Sequence, residues 1–181
     1  LRTAYQGERG AYSEQAALSL FGKDIDLHPC LTFDAVFSAV EEGTCDRGVV
    51  PVENSLAGSI HRNYDLLLRH DLHIVGEYNL RISHCLIAHP GVTLTEIRRV
   101  YSHPQALAQC EESLRELGEV EVIAAHDTAG SVRLIKEEAR RYAAAIAGEG
   151  AAALHGMAIL RREFEDEKPN YTRFVALARE P

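Results

Sequence analysis

Residues 72–89 constrain the fold more than any other stretch. All eighteen residues are extended in character, and Tyr78, Leu80 and Ile82 alternate with Asn79, Arg81 and Ser83. Successive side chains of a strand point to opposite faces, so this alternation suits a half-buried strand. A strand in a globular domain usually runs ~5–6 residues. A stretch of double length is expected where a chain passes from one lobe into another. A second crossing is expected between Phe164 and Thr172. Two crossings divide the chain into one lobe of residues 1–78 plus 170–181 and another of residues 79–169, with a cleft between them and a hinge at both crossings. At 181 residues the chain is long enough to bury a real core as one subdivided domain.

The flanking pattern gives the class of both lobes. Residues 2–6 read as a strand ending at Gly7 and Gly10. Residues 12–21 follow with Ala16, Ala17, Leu20 and Phe21 at helical spacing. A strand at 25–30 precedes a helix capped by Thr32, with Phe33, Val36, Phe37 and Val40 on one face. A third strand covers 47–52, and residues 60–69 read as a helix. This β-α-β-α-β run is the pattern of a parallel sheet with crossover helices. The second lobe repeats the logic: a strand from Arg99, a helix at 104–117, a strand at 120–124, a helix at 127–140, a strand at 142–147, a short helix at 149–155 and an extended piece at 159–162. Residues 171–178 return as a strand. The fold class is therefore α/β, in two lobes.

Net charge is -8, which argues against a nucleic-acid partner, because phosphate binding needs a basic face. The same acidity means that an anionic substrate must meet a local positive potential. Cys30, Cys45, Cys85 and Cys110 are widely spaced with no Cys-x-x-Cys, so reduced, buried thiols are expected rather than a metal site or disulfide framework. The His residues are scattered without ligand spacing, and no metal is expected. No apolar run approaches the ~18 residues of a membrane span. No signal peptide is visible, the sequence begins at Leu1, and cytoplasm is the expected compartment.

Four strand-to-helix junctions and one strand entry carry polar or small residues. Gly7-Glu8-Arg9-Gly10-Ala11-Tyr12-Ser13 can cradle an anion on free backbone N–H groups, or be a tight turn and cap. Glu53, Asn54 and Ser55 sit where the third strand ends, the edge at which open α/β sheets bind ligands. As a generic sequence they are equally a capped turn. Ser102 reads as an N-cap with Pro104 in the first turn, and Gln105 and Gln109 then share a helix face. Asp127-Thr128 opens another helix. At the last strand, Asn170, Thr172 and Arg173 bring an amide, a hydroxyl and a cation to the mouth of an apolar run beginning at Phe174. The hydrolase motifs Gly-x-Ser-x-Gly and His-Glu-x-x-His are missing.

Taken together, Gly-x-x-Gly-x-Tyr-Ser, Pro-x-Glu-Asn-Ser-x-x-Gly, Ser-His-Pro-Gln-Ala-Leu-x-Gln-Cys and Asn-x-Thr-Arg-Phe resemble, in order and spacing, the prephenate dehydratases. The resemblance covers essentially the whole chain. It implies two α/β lobes similar to type II periplasmic binding proteins, with the active site in the cleft. It implies conversion of prephenate to phenylpyruvate with no cofactor. Catalytic roles fall on Thr172, Glu53 and Asn54. Substrate contacts fall on Ser102 and Gln109, and by extension on Ala11, Tyr12, Ser13, Ser55, Gln105, Ala106, Thr128, Asn170, Arg173 and Phe174. Thr172 would polarise the departing hydroxyl. Glu53 would serve in a proton relay, as a true acid only if burial raised its pKa. Arg173 and the helix starts near Tyr12, Ser102 and Thr128 would anchor carboxylates. Ala11, Ala106 and Phe174 would form an apolar wall. A homodimer or higher homo-oligomer is expected, with no membrane partner.

Family members usually continue into a C-terminal regulatory ACT domain, whereas this sequence stops at Pro181. A catalytic part without that domain, unresponsive to phenylalanine through a second site, is the expectation. Two other readings stand beside it: a dehydratase acting on arogenate, and a two-lobed small-molecule binding module without chemistry.

Overall fold

The computed structural model describes all 181 residues, Leu1–Pro181. They form two compact units. The first comprises Leu1–Glu8, Tyr12–Ile82 and Pro169–Pro181; the second comprises Arg9–Ala11 and Ser83–Lys168. The extended stretch at 72–89 is two strands, β5 (His73–Arg81) in the first unit and β6 (Cys85–Ala88) in the second. The divide falls after Ile82 rather than after residue 78, and backbone hydrogen bonds explain why. Arg81 still pairs with Tyr171, and the Ile82 N–H donates to the Asn170 carbonyl at 2.8 Å. From His84 onward the partners change: its N–H goes to Glu165 and its carbonyl accepts from Phe164. Each backbone group must find a partner, and the change of partner marks the boundary.

The sheet of the first unit contains β1 (Arg2–Gln6), β2 (Asp26–Cys30), β3 (Arg47–Asn54), the short β4 (Gly58–Ser59), β5 and β11 (Tyr171–Ala178). Its order is β2-β1-β3-β11-β5, with β4 paired to β3. The first three strands are parallel, as the β-α-β-α-β pattern requires, while β11 enters antiparallel between β3 and β5. Helices α1 (Tyr12–Phe21), α2 (Phe33–Glu41) and α3 (His61–Arg69) complete the unit. Thr32 caps α2 by accepting from the Ala35 N–H at 3.2 Å. Val36, Phe37 and Val40 of α2 pack with Val50, Val52, Val175 and Leu177 on one face of the sheet. Ala16 and Ala17 of α1 pack with Val49, Leu80 and Phe174 on the other.

One irregularity in this sheet positions the site. Phe174 pairs with Pro51 but Arg173 pairs with Glu53, so Val52 has no opposite number on β11. Val50 and Val52 both face α2. In a regular ladder Asn54 would follow them to that face. The extra residue is a β-bulge, and it turns the end of β3 over. Asn54 arrives opposite Thr172, on the face that Phe174 shares.

The second unit has strands β6, β7 (Arg99–Ser102), β8 (Glu121–Ala124), β9 (Ala143–Ala147) and β10 (Ala158–Arg161), in the order β10-β6-β9-β7-β8. β7 runs parallel to β8 and β9, and β6 antiparallel to β9 and β10. Helices α4 (Pro104–Gln109), α5 (Glu111–Glu116), α6 (Thr128–Glu137) and α7 (Glu149–His155) surround it. The small residues of β9 are explained by burial on both faces. Ala143, Ala145 and Ala147 meet α6, while Ala144 and Ile146 meet the side of Ala106, Cys110 and Leu114. The single helix expected at 104–117 is two, broken at buried Cys110. The carboxylate of Asp166 accepts from the N–H groups of Glu112 and Ser113 and so caps α5 from outside the helix. All four cysteines are free and buried, and burial pushes the Cys30 thiol up to about 11.

Gly10 shows why the first junction needs glycine. Its φ is +86°, and a Cβ there would lie 2.8 Å from the Ala151 Cα at the start of α7. Close packing inside the second unit accounts for this glycine without a bound anion.

Candidate functional site

Asn54, Asn170 and Thr172 converge where β3 ends and β11 begins. All three are buried, at 4%, 1% and 8% exposure. The Asn54 side-chain oxygen accepts from the backbone N–H groups of Leu56 and Ala57 at 3.1 and 2.9 Å. Backbone N–H groups only donate, so this pair fixes which end of the amide is oxygen. The Asn54 Nδ2 must then face the other way. It donates to Asn170 Oδ1 at 2.8 Å, Thr172 Oγ1 at 2.9 Å and the Tyr171 carbonyl at 3.1 Å. The Thr172 hydroxyl is thereby an acceptor from Asn54, and its own proton is left to donate elsewhere. Ser55 completes the joint: its N–H donates to the Tyr171 carbonyl and its hydroxyl accepts from the Tyr171 N–H at 2.9 Å.

Glu53 and Arg173 lie away from this cluster. They are cross-strand partners one residue along, so their side chains project from the opposite face. The Arg173 guanidinium lies 3.3 Å from the Glu53 carboxylate and 3.9 Å from that of Glu77, and donates to the Tyr64 hydroxyl of α3. Two expectations are corrected. The Glu53 side chain is half exposed, which removes the burial that an acid role requires, and it does not meet Thr172. Arg173 is already engaged by two carboxylates, so it is not a free cation awaiting a substrate carboxylate. Phe174 is a core residue packed against α1.

In the second unit the expected residues separate in the same way. Ser102 is the last residue of β7, fully buried, and its hydroxyl donates to the Ile146 carbonyl at 2.6 Å. It ties β7 to β9 and is neither a cap nor a free anchor. The N-cap of α4 is His103, whose Nδ1 accepts from the Gln105 N–H at 3.2 Å. Ala106 is buried in the core, and Gln105 is exposed. Thr128 opens α6 behind its cap Asp127. Tyr12 packs at the margin of the first unit's α1 core, with Ser13 buried beside it, and Ala11 packs against the second unit's core.

Gln109 has a partner that sequence reasoning missed. The His84 Nε2 lies 2.9 Å from Gln109 Oε1 and donates to it, and the His84 N–H reaches the Glu165 carboxylate at 2.8 Å. Burial pushes the His84 imidazole toward its neutral form, against the opposing pull of Gln109 and Glu165. Glu165 is itself buried, and one of its oxygens has no partner. Its sequence context, a run of charges from Glu163 to Lys168, gives no sign of this. The structure contains no grouping of three or more His, Cys, Asp or Glu side chains able to hold a metal ion.

Two mixed sheets flanked by helices, with the final strand returning to the first sheet, define a two-unit α/β class that includes solute-binding proteins. A nutrient-binding protein from Burkholderia cenocepacia is 10% identical over 99% of this chain and 85% of its own, with a TM-score of 0.54, a likeness of fold alone. The particular family follows from sequence: residues 3–181 match the family model described as prephenate dehydratase, and the chain belongs to that family. A prephenate dehydratase from Arthrobacter aurescens, solved with L-Phe, superposes with a TM-score of 0.92 at 29% identity, over 100% of this chain and 61% of that one. A protein described as a quorum-quenching acylase superposes at 0.90 with 39% identity, over 100% and 65%. Arogenate dehydratase/prephenate dehydratase 2 of Arabidopsis thaliana, named as chloroplastic, is 54% identical over 100% of this chain and 47% of its own length. The chain spans about half the length of the curated relatives it matches. No helix is long and apolar enough to cross a membrane.

Proposed function

We propose that this chain is the catalytic part of a dehydratase of phenylalanine biosynthesis. It converts prephenate to phenylpyruvate with loss of water and carbon dioxide. The reaction breaks the bond between the ring and its carboxylate, releasing carbon dioxide and sending the electron pair into the ring. The pair expels the hydroxyl at the opposite ring carbon, which leaves as water once protonated. Aromatisation drives the change, and because it is redox-neutral it calls for no redox cofactor. The observation that carries this reading is the fixed amide of Asn54, which makes Thr172 an acceptor and frees its proton to meet the departing oxygen. An alcohol is too weak an acid to hand that proton over, so Thr172 polarises the leaving group, and the proton with which the hydroxyl leaves as water is taken up from hydronium of the solvent. Asn170 accepts from the same Asn54 nitrogen that donates to Thr172 and so helps to hold it in place. We further assign substrate contacts to Tyr12, Ser13 and Ser55 in the first unit.

Arogenate, which carries an amine where prephenate carries a ketone, is an equally supported substrate. Relatives are named for it, one of them for both activities, and the chemistry at the ring is the same. Acyl transfer is less well supported: it needs a nucleophile activated by a base, whereas the Thr172 hydroxyl accepts from an amide. The test is turnover by the purified protein with no added cofactor, phenylpyruvate from prephenate and phenylalanine from arogenate. Activity on neither substrate would overturn the proposal. A homo-oligomer in a reducing aqueous compartment, cytoplasm or plastid stroma, with no nucleic-acid or membrane partner, goes with this reading. Light scattering of the purified protein checks the oligomer.

A further inference from the structure

A cavity of about 370 Å³ lies within the second unit, lined by Arg98, Arg99, Arg140, Arg141, Tyr142 and Ala143. Four arginines border it in a chain whose net charge is -8. The sheet register brings them together. β7 and β9 are parallel neighbours with Arg99 opposite Ala143, and the Arg98 N–H donates to the Tyr142 carbonyl at 2.9 Å. Two Arg-Arg pairs, each just before or at the start of a strand, are thus laid side by side. This is the N-terminal edge of β7 and β9, whereas Thr128 and the Gln109 helix follow the C-terminal ends of β8 and β7.

The charges around the cavity do not cancel. Arg99 pairs with Glu121 at 2.8 Å, and Arg140 pairs with Glu138 while lying over the Tyr101 ring. Arg98 spends one nitrogen on the carbonyls of Thr95 and Ile97, and neither it nor Arg141 forms an ion pair with a carboxylate. Both act at longer range on Glu96, holding its carboxyl below the usual value after the larger effect of its bonds to Thr93. Arg98 and Arg141 are exposed, and Tyr142 beside them is 54% exposed. Guanidinium groups favour planar, bidentate contact with phosphate oxygens. A cavity of this size suits a small ligand rather than a macromolecule.

We propose that this cavity binds a small phosphate-bearing anion, with Arg98 and Arg141 as the principal contacts, at a site separate from the one assigned to dehydration. The test is calorimetric titration of the full chain with inorganic pyrophosphate at low salt. Saturable binding that weakens as salt rises is expected. The double variant Arg98→Ala/Arg141→Ala should bind at least ~10-fold more weakly, the loss of about 1.4 kcal/mol that one charge-assisted contact supplies. Arg141→Ala alone, which breaks no side-chain bond, should show a partial loss at an unchanged melting temperature. Citrate should bind more weakly than pyrophosphate. No binding, or binding that both variants retain, overturns the site; citrate binding as tightly as pyrophosphate overturns the phosphate assignment. The readout is binding, so it is independent of whether the chain turns over prephenate or arogenate.

Discussion

Thr172 and Asn54 have separable jobs, and substitutions can tell them apart. Thr172→Ala removes the hydroxyl that meets the leaving group and should lower kcat by ~10²-fold or more, the usual cost of losing a transition-state donor. Thr172→Ser keeps the hydroxyl and should retain most of the activity. Steady-state kinetics on prephenate and arogenate check both, and a near-normal kcat in the alanine variant would remove Thr172 from the mechanism. Asn54→Asp is nearly isosteric but replaces the NH₂ with a second acceptor. Asn170 Oδ1 and Thr172 Oγ1 then lose the bond from that NH₂, while the Tyr171 carbonyl keeps the Ser55 N–H, and a buried loss of this kind costs ~1–3 kcal/mol. A lower melting temperature together with lost turnover is expected, measured by thermal denaturation and assay. Asn54, Asn170 and Thr172 were legible because two motifs, far apart in sequence, name them. That Glu53 projects from the other face was not, because its side depends on a single unpaired valine. His84 and Glu165 were hidden for another reason: ordinary polar residues in a charged run look like solvent-facing ones until burial is known.

Element existence was largely legible, and element detail was not. Apolar spacing located nearly every helix and strand, and Thr32 marked the start of α2. Three things escaped. The bulge at Val52 escaped because the strand expected at 47–52 ends there, whereas β3 runs on past the unpaired valine to Asn54. The break at Cys110 has no Gly or Pro to signal it, because the start of α5 is capped by Asp166, from across the sequence. Ser102 looks like an N-cap by type, but its hydroxyl is used inside the sheet and the ring of His103 takes the position. The cap on α5 gives a prediction at this scale. Asp166→Ala should cost ~1–2 kcal/mol, as removed caps do, and lower the melting temperature by a few degrees in a chain of this size. A melting temperature equal to that of the parent protein would show that the two N–H groups find other acceptors.

At the scale of the whole molecule, the two-body organisation was legible from one overlong extended stretch, but its edges were not. The exchange of hydrogen-bond partners at Ile82 and His84 decides them, and side-chain alternation carries no record of it. Stability should depend on pH through two imidazoles. Burial lowers the pKa of both His84 and His103, and the His103 cap needs an unprotonated Nδ1. In the unfolded chain each histidine takes up a proton near pH ~6.5, while the folded one resists. Below that pH the unfolded state binds more protons, so stability falls as the solution is acidified. Melting temperatures measured from pH 8 down to 5 should be level above ~7 and decline below ~6.5, with a shallower decline in His84→Gln. An unchanged slope in that variant would assign the decline elsewhere. The place of β11 has a consequence for synthesis. A ribosome makes β3 and β5 long before it makes the strand that must lie between them. Until residues 171–178 emerge, both strands present open edges to the cell. The body begun first is therefore closed last, while residues 83–168 can pack before it. A chain ending at Lys168 and released from the ribosome should be cut by protease in the first unit and protected in the second.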